Sequence, residues 1–83
     1  MCFQVGNGRS IDIWSDPWVP WLSSFKPSPI EGGEKLPMLV DDFILPNSRT
    51  WDEPMLMNIF DNKSVTQILR IPIPSVPRLD KLI

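Results

Sequence analysis

Ten of the 83 residues are proline, and nothing else in the sequence limits the fold as strongly. Each proline fixes φ at about −65° and removes a backbone donor, which closes most of the chain to long helices and central strands. Short elements joined by extended connections are what remains. At 83 residues the chain is one domain at most. A core of that size buries only about 60% of the surface that the unfolded form exposes. Apolar content of 42% is ordinary for a globular chain and argues against wholesale disorder.

The stretch "VGNGRSIDIWSDPW", Val5 to Trp18, carries the first structural signal. Asn-Gly between apolar runs suggests a two-residue hairpin turn. That turn would pair Phe3 with Asp12 and Val5 with Ser10, splitting the apolar residues between two faces. A three-residue Gly6-Asn7-Gly8 loop repairs the register. Phe3 then faces Ile11, and Phe3, Val5, Ile11 and Ile13 share one face, with Gly8 at the left-handed position of the loop. The sequence therefore predicts an N-terminal β-hairpin, with "SDPW" turning the chain afterwards. Trp14, Trp18 and Trp21 have helical spacing, but Pro17 and Pro20 forbid a helix across them. A tryptophan cluster over the hairpin is expected.

Residues 23–38 form a Pro/Gly-rich loop without periodicity. Val40, Phe43 and Ile44 have i, i+3, i+4 spacing in a short element ended by Pro46, and "PNSR" is a turn. "TWDEPMLMNIF" predicts a helix capped by Thr50, with Glu53 returning a bond to the cap and Trp51, Met55, Leu56, Ile59 and Phe60 as its apolar stripe. "SVTQILRI" repeats the logic, with Ser64 as cap and Val65, Ile68 and Leu69 as stripe, until Pro72 ends it. The fold class expected is α+β, small and irregular. Residues 1–22 form the hairpin with its tryptophan cluster, residues 39–71 two or three short helices, and residues 72–83 an extended Pro-rich tail.

The residues available for chemistry are few. Gly6-Asn7-Gly8 could offer amides to a phosphate, but no Lys-Ser/Thr, third glycine or helix follows, so a structural turn is the better reading. "VDDF" has the adjacent aspartates of a two-metal polymerase site but no third acid, and its carboxylates are placed to cap a helix. With no histidine and no tyrosine, Ser–His catalysis is impossible. Cys2 is the single cysteine, which excludes an intrachain disulfide and, with histidine absent, a zinc site built from this chain. No catalytic residue, metal or cofactor is expected.

The net charge is −2 and the eight basic residues are scattered singly, so nucleic-acid binding by this segment alone is not expected. No run approaches the roughly 20 apolar residues of a membrane span, and no signal peptide opens the chain, so an intracellular, non-secreted protein is expected. Trp14, Trp18 and Trp21 are candidate partner-binding residues, for another protein or a neighbouring domain. "PSVP" could dock an SH3-like groove, although ten prolines make such matches common by chance.

"VGNGRSIDIWSDPWVP" resembles the "VGNG.SI.IW.DPWLP" stretch of plant non-LTR (LINE-type) retroelement proteins, a family that includes reverse-transcriptase and ribonuclease H proteins. "VDDFI", "TWDEPMLMNIF", "VTQILRIPIP" and "RLDKLI" follow in the order of that family, and residues 23–37 match poorly. In such proteins the segment lies between the reverse-transcriptase domain and a small zinc-binding domain. The resemblance implies a non-catalytic interdomain connector. Neither the family's polymerase aspartates nor its zinc ligands map onto any position of this chain. The alternative from the residues themselves is a small protein-interaction module using an exposed Trp/Pro-rich surface.

Overall fold

Two aspartates start the two helices of the computed structural model, which describes residues 2–76 and 78–83. The Asp52 carboxylate accepts the Met55 amide at 3.3 Å and opens α1 (Glu53–Ile59), with Pro54 in the first turn where its missing donor costs nothing. The Asp61 carboxylate accepts the Ser64 amide at 2.8 Å and opens α2 (Asn62–Ile68). The caps expected at Thr50 and Ser64 are corrected. Thr50 belongs to a strand, and Ser64 lies inside α2, buried, where its hydroxyl accepts the Ser28 amide at 2.9 Å. That bond ties the proline-rich loop to the helix pair. Ile30 N–H to Ile59 C=O and Asp61 N–H to Ser28 C=O extend the attachment.

The remaining elements are very short. β1 (Phe3–Gln4) pairs antiparallel with β4 (Lys81–Leu82), and β2 (Ile44–Leu45) pairs with β3 (Thr50–Trp51) across the Pro46–Arg49 turn. A 3-10 turn over Val40–Phe43 precedes β2. Two antiparallel two-stranded sheets with two helices make this a small α+β fold.

The N-terminal hairpin is corrected as well. Phe3 stands opposite Leu82, not Ile11. Ile11 and Ile13 pair instead with the approach to the 3-10 turn: Ile13 N–H donates to Met38 C=O, Val40 N–H to Ile11 C=O, and Asp12 bridges to Leu39. The local pairing loses because its backbone donors are engaged elsewhere. The amides of Gly6, Gly8 and Ser10 go to a distant carboxylate, and the Phe3 amide goes to Pro17 C=O. A hairpin ladder could not also use them.

One core results. Val5, Ile11, Ile13, Trp18, Val19, Val40, Phe43, Ile44, Leu56, Phe60, Val65, Ile68 and Ile71 are all buried. The apolar spacing of Val40, Phe43 and Ile44 therefore marks an inward face, although the backbone that presents it is half 3-10 turn and half strand. Trp51 and Ile59 pack against the core from its margin, while Leu69, expected in the stripe of α2, is exposed.

Candidate functional site: an occupied amide nest and an apolar groove

The Gly6-Asn7-Gly8 loop grips an anion, and the anion is the chain's own. Asp80 Oδ1 accepts the amides of Gly6 at 2.7 Å and Gly8 at 2.9 Å, and Asp80 Oδ2 accepts the Ser10 amide at 2.9 Å. Alternate backbone N–H groups, from Gly6, Gly8 and Ser10, converge on one carboxylate and make a nest-like anion site. The glycines are required by space and conformation. A Cβ on Gly6 would collide with the carbonyl oxygens of Arg78 and Leu79, and Gly8 has φ +76° and a Cβ position that falls on the Asp41 amide nitrogen. Asn7 Oδ1 accepts the Arg9 amide and closes the loop as an Asx turn.

Arg49 secures the same region from the other side. It occupies the left-handed region at φ 55° in the β2–β3 turn. Its Nη2 donates to Gly6 C=O at 3.0 Å and its Nε to Pro74 C=O at 3.2 Å. Neither Asp80 nor Arg49 has a local signal in the sequence. Two glycines around an asparagine announce convergent amides, but the acceptor lies 72 residues from Gly8 along the chain.

"SIDIWSDPW" is held by its own carboxylates. Asp12 accepts the amides of Trp14 and Ser15, while Asp16 accepts that of Asp12. The Trp14 and Ser15 amides hold the Asp12 carboxyl below the usual carboxylate range. Because the folded-state pKa lies below the unfolded one, the stabilisation is complete above roughly pH 4 and is lost as pH falls through the folded pKa. Asp12→Asn is expected to lose less stability than the parent chain between pH 7 and pH 3, read from urea midpoints. An identical loss in both would contradict the assignment.

Of the three tryptophans expected to bind a partner, only Trp21 is exposed. Trp18 has no exposure, and its Nε1 donates to Ile13 C=O at 3.0 Å. Trp14 is half-buried with its ring 5.0 Å from that of Phe60, and its indole N–H has no hydrogen-bond partner among the described residues. Trp21 is 46% exposed, with the Arg70 guanidinium 4.4 Å over its ring. The expected three-tryptophan patch is corrected to Trp21 alone, because a core this small needs Trp18 as its largest filler and Trp14 as its edge.

Trp21 stands at the rim of a groove of about 540 Å³. Its lining includes Phe3, Trp18, Ile73, Leu79 and Ile83, with Pro20, Pro72 and Pro74 alongside and Arg78 as its one charged residue among those described. Cys2 also lines it, and burial pushes that thiol's pKa up, away from the reactive thiolate. Of the "VDDF" aspartates, Asp42 accepts the Leu39 amide at 3.1 Å, the capping role expected of it. Among the described residues no group of three or more His, Cys, Asp or Glu side chains is placed to hold a metal ion, and no helix is long and apolar enough to cross a membrane.

No protein-family model, curated protein or solved structure matches the chain.

Proposed function

We propose that this chain is a non-catalytic connector of the kind found between the polymerase and zinc-binding domains of non-LTR retroelement proteins. The observation that supports it is the position of the two ends. Cys2 N–H donates to Ile83 C=O at 2.9 Å and Ile83 N–H returns to Cys2 C=O at 3.1 Å. A domain entering at one end and another leaving at the other would therefore meet the connector at one point, the geometry that lets a module sit between domains without separating them. The ordered "VGNGRSIDIWSDPWVP", "VDDFI" and "VTQILRIPIP" motifs add the family likeness. The carboxylates placed by hydrogen bonds in the site, Asp12, Asp16, Asp42 and Asp80, are engaged by backbone amides.

The reading is tested by the reading frame on both sides of the gene segment. Polymerase motifs before it and a cysteine/histidine cluster after it are the expected result, and a frame containing neither would overturn it. Turnover of a primed template or of RNA by the purified chain with magnesium would also end it.

A second reading is favoured by the groove at Trp21, Pro20, Pro72 and Pro74. An aromatic- and proline-lined groove suits an extended, proline-rich peptide, which brings little ordering cost to binding. Titration with such a peptide would shift the Trp21 indole resonance. No shift at millimolar peptide would remove this reading.

A further inference from the structure

The last six residues are attached to the protein in an unusual way. None of them is buried: Leu79 is 82% exposed, Ile83 61% and Leu82 45%, and Asp80 alone among the six is half-buried. Among the described residues, their hydrogen-bonded attachments are the three backbone amides on the Asp80 carboxylate and the pairing of β4 with β1, which the reciprocal Cys2–Ile83 bonds continue. The helical core, by contrast, rests on the burial of Leu56, Phe60, Val65 and Ile68. Segments fixed by hydrogen bonds at the surface open at lower free energy than segments fixed by apolar burial. Charge-assisted amide–carboxylate bonds are the strongest of the attachments here, and all three converge on one side chain.

We propose that residues 78–83 are a detachable strap, latched by the Asp80 carboxylate in the amide nest, whose release opens one wall of the groove while the helical core stays folded. Arg78, Leu79 and Ile83 are the strap's share of the groove lining, which Val5 and Trp18 also line. With the strap released, the groove loses its boundary and the apolar side chains of Leu79, Leu82 and Ile83 leave with it. The groove is therefore a gated surface, and Asp80 decides whether it exists. This device shares with the connector reading the pairing of Cys2 with Ile83, but its test reads the latch and not the neighbouring domains.

The test is amide hydrogen exchange of the full chain, residue by residue, in the parent, Asp80→Asn and Asp80→Ala. In the parent, Cys2 and Ile83 amides exchange faster than those of Phe60 and Leu69. In Asp80→Ala, exchange at Cys2, Gly6, Gly8 and Ile83 quickens about ten-fold or more, while Phe60 and Leu69 change by less than about two-fold. Asp80→Asn, which keeps one oxygen acceptor, falls between. Unchanged protection at Cys2 and Ile83 in Asp80→Ala would overturn the latch. Equal loss at Phe60 and Leu69, or a variant that fails to fold, would overturn the separability of strap and core. So would equal opening of strap and helices in the parent.

Discussion

Trp18→Ala is expected to destabilise the protein by roughly 3–5 kcal/mol, the range for removing a fully buried large aromatic. Trp18 has no exposure, stands 6.0 Å from the Trp51 ring and 6.4 Å from that of Phe60, and donates to Ile13 C=O. Truncation would empty the centre of the core and leave a buried carbonyl unpaired. A domain of 83 residues has a total stability of about 4–12 kcal/mol, so this one change could leave much of the chain unfolded at room temperature. The thermal midpoint should fall by at least about 12 °C, followed by far-ultraviolet circular dichroism. Trp21→Ala is the control. Its ring is 46% exposed and its contact with Arg70 is worth about 1 kcal/mol at most at such a site. Similar losses in the two variants would contradict the division of the tryptophans between core and surface.

The second large effect is expected at Gly8. With φ at +76°, any side chain there carries a left-handed penalty of about 1–2 kcal/mol. A Cβ would also stand 2.6 Å from the Asp41 amide nitrogen, which already donates to Gly8 C=O. Forcing that backbone apart adds about 1–3 kcal/mol, so Gly8→Ala should cost roughly 2–5 kcal/mol in urea unfolding. Gly32 supplies the comparison, because it shares φ +76° but nothing approaches its Cβ position. Gly32→Ala should show the conformational penalty alone. If the two variants were equally stable, the close approach of the nest to the 3-10 turn would be wrong.

These two positions also mark what could be read from the sequence. The glycine at a left-handed loop position was legible, since Asn-Gly between apolar runs requires one. So were the two helices and the inward face of Val40, Phe43 and Ile44, because local periodicity and proline boundaries decide them. What could not be read was long-range choice. Phe3 and Val5 are as compatible with Ile11 and Ile13 as with β4, and alternation does not say which strand arrives. The carboxylate for the nest and the guanidinium of Arg49 lie far along the chain from Gly6, so no spacing rule finds them. The helix caps show the same limit at short range. Thr50 and Ser64 satisfy the capping pattern, but Thr50 pairs with Leu45, and the Ser64 hydroxyl accepts the Ser28 amide. Asp52 and Asp61 take their places.

The candidate site was less visible still. Three tryptophans spaced along "IWSDPWVPW" suggest a common surface, yet the indole N–H of Trp18 must find an acceptor once buried, and Ile13 C=O provides it five residues earlier. Trp21 stays outside because the chain turns at Pro20. The groove beside it is assembled from both ends of the chain.

The joining of the two ends is the claim on which nest, groove, strap and connector all depend, and one nuclear Overhauser measurement tests it. Because Cys2 and Ile83 exchange both backbone bonds, Phe3 and Leu82 form the adjacent non-hydrogen-bonded pair, whose α-protons face each other closely. A strong Hα–Hα cross-peak between Phe3 and Leu82 is the predicted result. A cross-peak between Phe3 and Ile11 in its place would restore the local hairpin and contradict the fold described here.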